Sequence, residues 1–123
     1  MKKSFVLAAL LPLAVAAQDI KQELHAELKA QVEFPATVPA GNYSGITWLG
    51  GNEYAVVCDK ARADGFFIFH INIDPDTGVI SHAYNNEFRS SGYANRDMEG
   101  IAFMPKDTTI FISGEGDNSI KEY

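Results

Sequence analysis

Cysteine is almost absent from this chain of 123 residues, which carries Cys58 alone. That excludes a framework of internal disulfides. Within the apolar run from Tyr54 to Cys58, the thiol reads as a small buried hydrophobe. Basic side chains are also scarce, with ten Lys and Arg against sixteen Asp and Glu. Such a balance disfavours nucleic acid and anionic membrane surfaces as partners. It suits cation binding. Long hydrophobic runs are missing beyond the N-terminus, where "FVLAALLPLAVAA" follows Lys2 and Lys3. That run is too short for a comfortable transmembrane span and has no second apolar segment behind it.

A positive start, an apolar stretch and small residues from Ala14 to Ala17 together read as a secretory leader over residues 1–17. No Cys stands at the cleavage point, so a lipid-anchored form is not expected. The protein is therefore expected to be secreted or periplasmic, with no membrane association once the leader is removed. Without Lys2 and Lys3, eight basic side chains remain against sixteen acidic ones.

Residues 18–41 read as an N-terminal strand and a Pro/Gly connection. From Leu24 to Phe34 apolar and polar residues mostly alternate, which predicts a strand. Ile20, Leu24, Leu28 and Val32 also fit a helical stripe. "FPATVPAGN" then breaks the pattern. Short strands follow: "GITWL" and "EYAVVC" around Gly50-Gly51-Asn52, then "GFFIFHINI" and "VISHAY" around Asp74–Gly78. The last connection could be read as a calcium loop, but Pro75 and Gly78 suit a tight turn. Asn85 to Arg96 is polar and reads as a long loop. His70, in an apolar strand, and His82, after a turn, are expected to be structural or surface groups.

A repeat organises the rest. "SGITWLGGNEYAVVCDK" from Ser44 aligns without a gap on "EGIAFMPKDTTIFISGE" from Glu99, at an offset of 55 residues. "IKEY" then answers "GFFIF", one residue out of register. A strand-only period of this size marks propeller blades. Residues 42–123 would hold about one and a half blades, short of the roughly four that closure needs. The expected fold is thus all-β, an incomplete β-propeller, and the chain reads as a piece of a longer protein.

Four acids, Asp97, Glu99, Glu115 and Asp117, flank the last strands. Glu99 sits just before Gly100 and Glu115 just after the next strand, so a hairpin returns both to one rim. Carboxylates gathered at such a rim can hold a hard cation. Acids beside strand ends are otherwise ordinary solvated groups.

"NRDMEGIAF" with "ISGEGDNSIKEY" resembles the phytase-like ("esterase-like activity of phytase") β-propeller family, and "YSGITWLGGNEYAVVCDK" looks like its first blade. More distantly, the run is similar to calcium-dependent β-propeller phytases. The resemblance implies calcium as cofactor, Glu99 and Glu115 as its ligands, and Asp97 as a catalytic residue holding a metal-bound water or a second ion. It implies Lys60, with Arg62, as the clamp on a small phosphoester substrate. Those phytases usually carry paired acids where this chain has Gly114-Glu115. A calcium-dependent lactonase or esterase and a non-catalytic binding scaffold remain as alternatives.

Overall fold

β-Branched and aromatic residues alternate between turn formers through most of the chain, and that pattern sets the strands. The computed structural model describes residues 25–123. The expected leader, residues 1–17, lies outside them. Seven strands form: β1 Tyr43–Gly50, β2 Glu53–Cys58, β3 Gly65–Ile73, β4 Ile80–Ser90, β5 Met98–Met104, β6 Thr109–Gly114 and β7 Ser119–Glu122. They build a four-stranded sheet in the order β1-β2-β3-β4 and a three-stranded sheet in the order β5-β6-β7. All neighbouring strands are antiparallel. The described residues contain no helix.

The two sheets meet face to face. Ala55, Val57, Phe66 and Ile68 of the first pack against Met98, Ile110 and Ile112 of the second. Met98 and Ile112 are completely buried, and each such side chain contributes roughly 1.5–3 kcal/mol. Cys58 is buried, as its apolar setting predicts. The His70 ring stacks on Tyr84 at 4.6 Å, a structural role.

β1 and β5 lie side by side. The Ser44 hydroxyl donates to the Met98 carbonyl at 2.6 Å, and Phe103 N donates to Thr47 Oγ1 at 3.2 Å. Residue numbers rise together along both strands, so they run in the same direction. Here the repeat glycines touch: a Cβ on Gly45 would stand 2.9 Å from the Glu99 carbonyl and 3.2 Å from Gly100 Cα.

The structure corrects three sequence expectations. The strand expected over Leu24–Phe34 does not form in its described part, residues 25–34. These residues have neither strand nor helix, and Leu28 is 93% exposed. The loop expected over Asn85–Arg96 begins only after Ser90. Phe88 packs on Phe67 at 4.8 Å, and Glu87, Arg89 and Ser90 extend the ladder with β3. Polar residues there reflect the edge position of β4, which favours charge on its solvent side.

The third correction concerns the gapless repeat. Trp48 pairs with Tyr54 across the first hairpin, whereas Phe103, its equivalent, pairs with Ile110. The second hairpin is longer by one residue. Because side chains alternate with period two, one residue turns every side chain to the other face. Ala55 and Ile110, aligned in sequence, therefore point towards each other across the interface rather than the same way.

Asp74–Gly78 is a tight turn. Asp74 Oδ1 accepts from Asp76 N, Thr77 N and the Thr77 hydroxyl, and Gly78 has φ +71°. That carboxylate oxygen is engaged within its own turn. These donors, led by the Thr77 hydroxyl, hold the Asp74 carboxyl below its usual range.

Candidate functional site

Met98 lies opposite Gly114 at the open end of the β5–β6 hairpin. Glu99 follows Met98 and Glu115 follows Gly114, so the two carboxylates share one end, as the hairpin argument requires. Glu99 is the extra residue of a bulge, between the Met98–Gly114 and Gly100–Ser113 pairs. Bulges re-aim side chains and often border functional sites. Both glutamates are exposed.

Asp97 precedes this end with φ +53°, left-handed for a non-glycine residue. Aspartate tolerates that region better than most side chains. Asn95 Oδ1 accepts from Asp97 N at 2.6 Å. The Asp97 carbonyl in turn accepts from Glu115 N at 2.9 Å, and the Arg96 carbonyl accepts from Gly116 N at 2.9 Å. The two acidic strand ends are thus laced together by their backbones.

Lys60 comes from the loop between β2 and β3. Its Nζ lies 3.1 Å from Asp97 Oδ1 and 3.3 Å from Asp59 Oδ2. Hydrogen bonding to Asp97, then to Asp59, raises the Lys60 amine above its usual value, so it stays a cation at neutral pH. Lys60 also lines a cleft of about 540 Å³ together with Arg62, Tyr43, Phe67 and Phe88. The structure therefore joins Lys60 to Asp97 and seats Lys60 and Arg62 on one cleft. Glu99 and Glu115 stand apart from that cleft, on the hairpin end.

Carboxylate oxygens match calcium in kind, and Asp59 Oδ1 is buried without a hydrogen-bond partner. In number they fall short of the six to eight oxygens that calcium takes. Among the described residues no three acidic, His or Cys side chains are grouped to hold a metal.

Sequence reasoning missed the groups that hold this region. Arg96 is buried, 6% exposed, beside the fully buried Asp64. Its Nε lies 3.3 Å from Asp64 Oδ1, and its Nη1 lies 2.8 Å from Asp117 Oδ1 and 3.0 Å from Ser119 Oγ. Nη2 donates to the Ile112 carbonyl and to the Tyr123 hydroxyl, each at 3.2 Å. The Tyr123 hydroxyl and the Ser91 hydroxyl both donate to Asp64 Oδ2. Burial, then the Asp64 hydrogen bond, raises the Tyr123 phenol, so it remains a donor. Arg96 sits in the stretch read as loop, and its partner Asp64 is 32 residues away. No local signal pairs them.

The Ser119 hydroxyl, then Lys121 and Arg96, hold the Asp117 carboxyl well below its usual value of 3.8, against the opposing effect of burial. A group whose folded pKa is depressed stabilises the fold above its unfolded pKa and loses that contribution as pH falls further. Stability is therefore expected to decline progressively below about pH 4. Asp117→Asn should flatten part of that decline in urea titrations from pH 6 to pH 2. An unaltered pH slope in the variant would contradict this.

A family model described as phytase-like, esterase-like activity of phytase, matches residues 38–123. No curated protein and no solved structure matches the chain.

Proposed function

Because this chain belongs to the phytase-like family, we propose that it is an exported, calcium-dependent phosphoester hydrolase whose two sheets are consecutive blades of a β-propeller. Two features support the propeller: face-to-face sheets, and first strands that run side by side in one direction. The observation that carries the functional reading is the 3.1 Å contact between Lys60 Nζ and Asp97 Oδ1. It sets a cation against Asp97, the acid that leads into the β5–β6 end.

The chain's own groups divide the work. Lys60 attracts the phosphoryl group as a point charge, and Arg62, exposed on the same cleft, adds a planar fork of donors. Asp97 shares one oxygen with Lys60 and offers the other to orient a water and take its proton. Glu99 and Glu115 are the residues that would hold calcium, with the remaining oxygens coming from backbone, water and other parts of the intact protein. Calcium, when bound, supplies neutralisation of charge growing on the phosphoryl oxygens.

Calorimetry on the intact protein tests the metal assignment. Glu99→Gln and Glu115→Gln are each expected to weaken calcium binding about tenfold or more, since ligand charge count tunes calcium affinity over decades. Lys60→Ala should leave calcium affinity nearly unchanged and depress phosphate release. Unchanged calcium affinity in both glutamine variants would overturn the assignment. Hydrolysis of lactones or carboxylic esters in place of phosphate release would move the reading to the esterase alternative.

A further inference from the structure

Asn95 joins two loops that are far apart along the chain. Its Nδ2 donates to the Asp59 carbonyl at 2.9 Å and also to the Ala61 carbonyl, the residues on either side of Lys60. Its Oδ1 accepts from Asp97 N at 2.6 Å. A primary amide offers two donor hydrogens and one acceptor oxygen. Here they all go to the backbones that carry Lys60 and Asp97. Asp97 needs such a tether, because its φ of +53° is one that few residues hold unaided. Lys60 needs one as well, because its side chain is 64% exposed and little packing restrains it.

We propose that Asn95 is the positioning residue that seats Lys60 against Asp97, making cation and carboxylate one unit across the two sheets. Its value for phosphoester chemistry rests on the function proposed above. The seating itself does not. No other residue type supplies this pattern at the same reach: aspartate lacks the donors, and serine is too short to span both carbonyls.

Lysine labelling tests the seating without any need for activity. The full chain, as wild type, Asn95→Ala and Asn95→Leu, is treated with a limiting acylating reagent, and each lysine is quantified by mass spectrometry. Asp97→Asn gives the rate for an unseated Lys60, and Lys106 on the β5–β6 turn serves as internal reference. Lys60 is expected to react about two- to five-fold faster in both Asn95 variants, the scale of a lost exposed ion pair, with Lys106 unchanged. Wild-type labelling of Lys60 in a folded Asn95 variant overturns the proposal. Loss of fold in both variants, judged by circular dichroism, also overturns it, because Asn95 would then hold the whole structure rather than this pair. An intact protein without phosphatase activity would sink the proposed function and leave the labelling result standing.

Discussion

Arg96→Met is expected to lower the free energy of unfolding by about 3–5 kcal/mol, the cost of leaving a buried partner charge uncompensated. Asp64 has no exposure, and in the variant only the Ser91 and Tyr123 hydroxyls would still face its carboxylate. Asp117 would lose Arg96 as well, though Lys121 remains 3.0 Å from its second oxygen. A domain of this size has about 5–15 kcal/mol in total, so the variant should unfold at a markedly lower urea concentration. Adding Asp64→Asn should recover part of the loss, since it removes the charge left stranded. A single variant within about 1 kcal/mol of wild type would show that the network is worth no more than a surface ion pair.

Gly65→Ala should be nearly as damaging, for a steric reason. Gly65 opens β3 at φ +146°. A Cβ there would run into the Arg89 carbonyl oxygen and stand 2.9 Å from Ser90 Cα, both backbone atoms of β4. Backbone cannot swing aside as a side-chain tip can. Relief would part Gly65 from its partner Ser90 and disturb Asp64, one residue away, with the ion network it anchors. The expected cost is about 3 kcal/mol, the upper end for ordinary point substitutions. Gly51→Ala separates sterics from backbone preference: Gly51 also has positive φ, but a Cβ there would meet nothing within 4 Å. It should cost only about 1–2 kcal/mol of left-handed strain. Equal losses in the two variants would contradict the steric account.

Parts of the site were legible in residue order, and the reason is locality. Glu99 and Glu115 reach one end because a two-stranded hairpin closes on itself, whatever surrounds it. Gly45 and Gly100 stood out as equivalents, and they do lie together where β1 meets β5. Lys60 and Arg62 were drawn from a family resemblance, and the fold seats them on one cleft. Asn95 was passed over because its partners are backbone atoms that carry no sequence signal, and Arg96 because Asp64 lies 32 residues away.

Residue order by itself determined the strands from β1 onward except the second half of β4, their tight turns, the burial of Cys58 and the family to which the chain belongs. Each follows from alternation, turn chemistry or motif, all readable within a few neighbouring residues. Tertiary structure alone decided which face each strand presents and which charges are buried. One extra residue in the β5–β6 hairpin turned Ile110 and Ile112 towards the first sheet, an outcome that an ungapped alignment hides. Edge placement made a strand of the polar residues after Asn85, whereas the alternating residues 25–34 pair with no strand. Asp64 and Arg96 became partners only when the two sheets closed, because packing, not sequence proximity, removed both from water.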